Sequence, residues 1–182
     1  MIYSFTHKYN GRSNVLTLPV KITLKGTAGC YETQGIIDTG ATASVISKNI
    51  AANLNAIPQT FTMVNTASEQ KVITPLYEAE IEICKKVNMV GLMVTSGALL
   101  AGAECLIGMD ILSQGDLAVT NFDGKTCVSL RMPSVQCIDF VESSRVSKPF
   151  VALKVAPFLA GIGNFGIQFC QLLKNPLHGF LC

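Results

Sequence analysis

The sequence has little charge and little histidine, and both shortages argue against whole classes of protein. Lys and Arg total 14 and Asp and Glu total 12, which gives a net charge of +2 over 182 residues. Nucleic-acid binding needs a strongly basic surface, so we expect no nucleic-acid partner. The two histidines, His7 and His178, stand at opposite ends of the chain. A serine or cysteine triad requires a histidine beside its nucleophile, and the sequence offers no evident candidate.

Metal-binding cysteine patterns are also missing. None of the seven cysteines is paired with another in a Cys-x-x-Cys motif. With so few histidines besides, a zinc site has almost no ligands, and we expect neither a metal nor another cofactor. An odd number of cysteines fits free thiols in a reducing compartment. Residues 1–8 lack the basic start and the long apolar run of a secretory signal, so the expected localisation is cytoplasmic.

Hydrophobic residues make up 49% of the chain, enough for one domain with a buried core. The composition changes near residue 133, and residues 146–182 contain three lysines and no acidic residue. Residues 150–170 have the length of a membrane span, but Lys154, Pro157 and several glycines interrupt the apolar run. We therefore expect a C-terminal tail that does not cross a membrane.

Alternation of apolar and polar residues predicts mainly β-structure. Val20, Ile22 and Leu24 alternate with polar residues, which is the period of a half-buried strand. Ser47 is a suitable N-cap for a short helix, and a second short helix is predicted at residues 109–114. Asp123-Gly124 is a typical hairpin turn. The remaining predicted strands are 31–37, 61–65, 71–83, 87–95, 105–108, 117–122 and 126–130.

The most specific feature is a carboxylate at the end of a strand, in Ile36-Ile37-Asp38-Thr39-Gly40-Ala41. Ionisable groups rarely adjoin a buried strand without a reason. A glycine after the carboxylate permits a tight turn and a close approach of the backbone to another group. On its own, however, the segment is also compatible with a turn in which Asp38 caps local backbone groups.

A second segment, Leu106-Ile107-Gly108, repeats the two apolar residues and a glycine ahead of a predicted helix. Together the two segments resemble those of the retropepsin family, the retroviral-type aspartic proteases, over residues 15–132. The resemblance implies an all-β fold, a small closed barrel with one or two short helices and a single lobe per chain. Residues 1–14 would then be an N-terminal extension, and residues 133–182 the tail.

The resemblance also implies a peptide hydrolase with Asp38, Thr39 and Gly40 as its catalytic residues. Thr39 resembles the threonine that hydrogen-bonds across a dimer axis, and Gly40 the glycine whose backbone approaches the substrate. Hydrolysis needs a general base and a general acid, which a pair of carboxylates can supply. The sequence has one Asp-Thr-Gly, so the second carboxylate must come from a second copy in a homodimer.

The predicted partner of such a dimer is a peptide or protein substrate. Its contacts are expected from Ala41, from Ile107 as an apolar pocket wall, and from Thr66, Ala67 and Ser68. The last three residues lie in the turn of a predicted hairpin at the position of the family's flap, which closes over the peptide and excludes water. This turn lacks the glycines of retroviral flaps.

Other interpretations stay open. The fold can serve a catalytically silent dimerisation or peptide-binding module, because fold alone does not establish catalysis. A membrane-tethered protease would require the tail from Phe150 onward. Asp110, Asp116 and Asp123 match no calcium loop, and we expect Asp110 and Asp116 to flank the second helix as solvated residues.

Overall fold

The computed structural model describes residues 1–65, 70–99 and 102–144, and the predicted all-β architecture with few short helices is confirmed there. Residues 1–138 form one compact unit, and the helix α3 belongs to a second unit at residues 139–182. The described elements are β1 (Tyr3–Lys8), β2 (Thr17–Leu24), β3 (Tyr31–Ile37), β4 (Val45–Ser47), α1 (Lys48–Asn53), β5 (Thr60–Val64), β6 (Val72–Ile83), β7 (Val87–Gly97), β8 (Cys105–Ile107), α2 (Met109–Leu112), β9 (Asp116–Phe122), β10 (Lys125–Met132) and α3 (Phe140–Ser144).

Six strands close into a barrel because the larger sheet pairs with itself. Its order is β2-β3-β8-β4-β7-β6-β5, and β2 also pairs with β6. The second half of β6 pairs with β2, as at Ile81 with Ile22, and closes the barrel. The first half pairs with β5 from Val72 to Leu76 and forms the predicted long hairpin. Residues 66–69, between β5 and β6, lie outside the described residues.

The apolar residues of alternating strands form the core. Val20, Ile22 and Leu24 of β2 are each 3% exposed or less, whereas Lys21 and Thr23 between them are not buried. This confirms the strand predicted from their period of two. The side chains of β6 alternate in the same way, with Ile81 and Ile83 buried. The core therefore lies on one face of each strand.

A second sheet of three strands has the order β1-β10-β9. The β9–β10 hairpin turns at Asp123 and Gly124, whose φ angles of 49° and 70° suit the predicted hairpin turn. Strand β1 pairs antiparallel with β10 from Tyr3–Met132 to Lys8–Cys127. Residues 1–14 thus contribute a strand to the compact unit, and the division of the chain at residues 15 and 132 stays a prediction.

Short helices follow β4 and β8. Helix α1 begins after Ser47, whose Oγ accepts a hydrogen bond from the Ile50 N–H, so the predicted N-cap is confirmed. Helix α2 is shorter than predicted and ends at Leu112. In the part of the chain that the structure describes, no helix has both the length and the apolar character needed to cross a membrane.

Candidate active site

Parallel pairing of β3 with β8 brings the two sequence motifs side by side. Ile36 lies opposite Leu106, and Ile37 lies opposite Ile107. The Asp38 N–H continues this ladder by donating to the carbonyl oxygen of Ile107 at 3.0 Å. One residue further along the register, Asp38 corresponds to Gly108. The two segments therefore leave the sheet at the same edge, one with a carboxylate and the other with a glycine.

Asp38 begins a tight turn that faces solvent in the single chain. Its Oδ1 accepts a hydrogen bond from the Gly40 N–H at 2.9 Å, and its carbonyl oxygen accepts one from the Ala41 N–H at 3.3 Å. Asp38 is half-buried, while Thr39 and Gly40 are exposed. A Cβ atom at Gly40 would lie 3.2 Å from the Asp38 Oδ1. Glycine at this position thus leaves room for the carboxylate and its backbone donor.

Gly108 packs directly against the backbone of the loop that follows Asp38. A Cβ atom on Gly108 would lie 2.6 Å from the Ala43 carbonyl carbon, 2.7 Å from the Ala43 oxygen and 2.9 Å from the Ser44 nitrogen. The Gly108 N–H donates to the Ser44 Oγ at 3.0 Å, and the Met109 N–H donates to the Ala41 carbonyl oxygen at 2.8 Å. The glycine is required by this contact between two backbones.

Asp110 attaches the same loop to α2. Its Oδ2 accepts the Ser44 N–H at 2.9 Å, and its Oδ1 accepts the Ser44 hydroxyl at 2.7 Å. Ser44 is completely buried and Asp110 is half-buried. The expectation that Asp110 is a solvated residue is therefore wrong. Sequence reasoning missed this pair, because its two members approach each other only when β8 pairs with both β3 and β4.

Asp116 is likewise not a solvated residue. It lies at the start of β9 and accepts hydrogen bonds from the Ser134 hydroxyl, the Val135 N–H and the Arg131 guanidinium, the last with Arg131 Nε at 2.8 Å. These donors, led by Ser134, lower the pKa of Asp116 to about 2. Asp116 connects β9, β10 and the chain after β10, and it makes no recorded bond to the Asp38 loop.

The predicted substrate contacts fall in different surroundings. Ile107 is completely buried in the core, so its side chain does not line an open surface in the single chain. Its neighbour Leu106 is the partly exposed residue of β8, and it lies opposite the partly exposed Ile36 of β3. Ala41 is half-buried in the turn after Asp38. Thr66, Ala67 and Ser68 lie outside the described residues.

The hairpin of β5 and β6 has two different faces. Phe61, Met63 and Ile73 lie on one face and are 63%, 68% and 71% exposed. Thr62 and Thr74 lie opposite each other on the second face, where Thr74 is buried. The hairpin thus presents an apolar outer face and a more protected inner face. β5 is the last strand in the order of the larger sheet and pairs only with β6, so it is an edge strand.

Cys105 is the first residue of β8 and is completely buried. Burial, and to a smaller extent the charge of Asp110, raises the pKa of this thiol to about 12. Among the described residues, no three side chains of the metal-binding types lie close enough to hold an ion. Two hollows on the surface of residues 1–138 are lined by other groups, around Lys21 and Glu32 and around Ser129 and Arg131. Asp38 lies in neither hollow.

Comparison with known proteins gives a match to one family model and structural similarity to solved proteins at low sequence identity. A family model described as gag-polyprotein putative aspartyl protease matches residues 25–114. A retropepsin-like aspartic protease from Rickettsia conorii is 13% identical with a TM-score of 0.44, over 72% of this chain and 94% of that chain. The retroviral protease-like domain of Ddi1 from Leishmania major is 14% identical with a TM-score of 0.35, over 58% and 82%.

A foamy viral protease-reverse transcriptase, solved with an RNA/DNA hybrid, is 22% identical with a TM-score of 0.39, over 54% of this chain and 12% of that chain. The search of curated proteins found no match. The residues covered by the family model include both segments of the candidate site, from the Asp38 turn to α2.

Proposed function

We propose that this protein is a retropepsin-like aspartic endopeptidase that is active as a homodimer, because a family model of aspartyl proteases matches residues 25–114. Each chain supplies one Asp38 to a shared site. The observation that carries the proposal is the Asp38 turn: the Gly40 N–H donates to the carboxylate, the Asp38 backbone N–H donates to the Ile107 carbonyl oxygen, and Asp38 is only half-buried.

The need for a second chain follows from Gly108. The register of β3 and β8 places Gly108 beside Asp38, so the neighbouring segment of the same chain brings a glycine and not a second acid to this position. A Cβ atom at Gly108 already falls 2.6 Å from the Ala43 backbone, and no acidic side chain fits. A twofold axis that brings two Asp38 turns together supplies the missing carboxylate. The exposure of Thr39 and Gly40 supports such a contact, with Thr39 bonding across the axis.

Two adjacent carboxylates can share the proton transfers of hydrolysis. Like charges a few ångströms apart are not both ionised at little cost, so the pair carries one proton, as is usual in aspartic proteases. The ionised Asp38 takes a proton from water as the water oxygen attacks the peptide carbonyl carbon. The protonated Asp38 of the partner copy donates to the carbonyl oxygen. The Asp38 that took the water proton then passes it to the amide nitrogen, the Asp38 of the partner copy takes back a proton from a hydroxyl of the tetrahedral intermediate, and the C–N bond breaks.

The proposed substrate is an extended peptide with apolar side chains beside the scissile bond. Leu106 and Ile36 support this choice, because both are apolar, partly exposed and carried by the strands that end at the site. We assign the wall of the pocket to Leu106 rather than to the buried Ile107. The turn with Thr66, Ala67 and Ser68 is proposed to close over the peptide, and the cytoplasm is the proposed location.

The test is to replace Asp38 with Asn and to measure cleavage of a peptide library. We expect Asp38→Asn to be inactive and still dimeric by analytical ultracentrifugation, since the amide keeps the shape but cannot act as a base. Equal cleavage by both proteins would refute the catalytic role. An inactive wild type that still binds peptide would favour the silent binding module.

Mixed dimers test whether the site is shared. If wild type and Asp38→Asn pair at random in equal amounts, about one quarter of the dimers have two aspartates. Activity should therefore fall to about that fraction of an all-wild-type sample of equal total concentration. Retention of half the activity would mean that each chain works alone and would contradict the shared site.

A further inference from the structure

Asp110 lies outside the Asp-Thr-Gly motif but holds the far end of the Asp38 loop. Its two oxygens take different donors of one residue: Oδ2 takes the Ser44 N–H, and Oδ1 takes the Ser44 hydroxyl. Oδ1 also accepts the Ile111 N–H at 3.0 Å, which fixes the carboxylate relative to α2. Because Ser44 is completely buried, water cannot readily replace these bonds.

The loop is attached to β8 and α2 at three points along its length. The Asp38 N–H bonds to Ile107 at the start, the Ala41 carbonyl oxygen bonds to Met109 in the middle, and Ser44 bonds to Gly108 and Asp110 at the end. The hydroxyl of Ser44 thus accepts a hydrogen bond from the Gly108 N–H while it donates one to Asp110. Removal of Asp110 would release the end of the loop and weaken the orientation of that hydroxyl.

We propose that Asp110 is a positioning residue of the endopeptidase, which sets the position of Asp38 through Ser44. This inference rests on the proposed function. It assigns no contact between Asp110 and substrate. Catalytic groups must be held close to their productive geometry, and a displacement of about 1 Å can cost on the order of 10²-fold in rate. A loop with one free end is open to displacements of that size.

Three substitutions separate positioning from general stability. Asp110→Ala removes both acceptors. Asp110→Asn keeps one acceptor for the Ser44 N–H and offers an amide donor to the Ser44 oxygen, and it loses only the acceptor of the Ile111 N–H within α2. Asp116→Ala is the matched control, because Asp116 also accepts from a serine hydroxyl, a backbone N–H and another donor, but it connects β9 and β10 instead of the Asp38 loop.

The kinetic readout is kcat per active site, counted by titration with a statine-type transition-state analogue. For Asp110→Ala we expect kcat to fall on the order of 10²-fold with a much smaller change in KM. Asp110→Asn should recover most of this loss, and Asp116→Ala should keep the wild-type kcat. Wild-type kcat in Asp110→Ala would overturn the proposal, as would an equal loss in both alanine variants.

Amide hydrogen exchange tests the same inference without activity. The Gly40 N–H bonds to the Asp38 carboxylate, so its protection reports the order of the turn. We expect faster exchange of Gly40 in Asp110→Ala than in Asp116→Ala at equal global stability, and near wild-type exchange in Asp110→Asn. Unchanged Gly40 protection in Asp110→Ala would refute positioning even if the wild type hydrolyses no peptide. An inactive wild type with the expected exchange would refute the proposed function alone.

Discussion

Replacing Gly108 with Ala should displace the Asp38 loop by a distance that follows from the structure. The added Cβ would lie 2.6 Å from the Ala43 carbonyl carbon, and ordinary contacts begin at 3.4 Å, so the two segments must separate by about 0.8 Å. The obstructing atoms are backbone atoms, which cannot turn aside as the end of a side chain can. At φ −91° and ψ −176°, residue 108 has an extended backbone open to alanine, so the effect is purely steric.

The expected cost has two parts. Overpacking of this kind destabilises proteins by roughly 1–3 kcal/mol, and a loop shift of nearly 1 Å lowers kcat on the order of 10²-fold. Urea unfolding followed by circular dichroism measures the first part, and peptide cleavage per titrated site measures the second. Gly11→Ala is the control, because a Cβ at Gly11 meets nothing within 4 Å. That change should leave both quantities close to the wild type.

Two results would refute this reasoning. A Gly108→Ala protein of wild-type stability and activity would mean that the contact with Ala43 is looser than described. Loss of stability with an unchanged kcat per titrated site would mean that the position of the loop does not control the chemistry. The second outcome would also weaken the positioning role of Asp110, since both arguments depend on the same loop.

Two further predictions concern titration and thiol reactivity. Hydrogen bonds in the folded protein lower the pKa of Asp116 from 3.8 to about 2. The ionised Asp116 therefore stabilises the fold fully at pH values above 3.8, and this stabilisation is lost as the pH falls through the folded-state pKa of about 2. The difference in urea midpoint between wild type and Asp116→Asn should therefore shrink below about pH 4, and a constant difference down to about pH 2 would contradict it. Burial raises the pKa of the Cys105 thiol to about 12. Iodoacetamide should therefore modify the exposed Cys30 in the folded protein, while Cys105 stays unmodified until the protein unfolds. Mass spectrometry that finds equal rates at the two thiols would exclude this.

Strands with a clear period of two could be predicted from the sequence, and the exceptions have physical reasons. β3 has the predicted bounds, whereas β2 begins at Thr17, three residues before the alternation that starts at Val20. β1 was missed, although Tyr3, Phe5 and His7 do alternate with polar residues, since its apolar face is aromatic and only partly buried. β4 has three residues, which is too short for any period to appear.

The candidate site was predictable in its chemistry but not in its supports. Asp38 and Gly108 stand in recognisable local segments, whereas the bond between Ser44 and Asp110 joins residues far apart in the chain and depends on how β8 pairs with β3 and β4. The sequence analysis placed Ile107 on the open side of β8, whereas the structure buries Ile107 and leaves Leu106 partly exposed. This difference also depends on strand pairing. In a strand of three residues, the buried face is set by its neighbours and not by its own pattern.

The register of β3 and β8 also explains why the two segments have different roles in the proposed enzyme. One segment carries the acid, and the other carries the groups that hold the loop of that acid, namely Gly108 and Asp110. Gly108, Met109 and Asp110 all bond to the Asp38 loop from within one chain. In the proposed dimer, the partner copy contributes the second carboxylate and the contact of its Thr39. Substitutions at Asp110 should accordingly lower kcat without weakening dimerisation, whereas a substitution at the exposed Thr39 should weaken the dimer first.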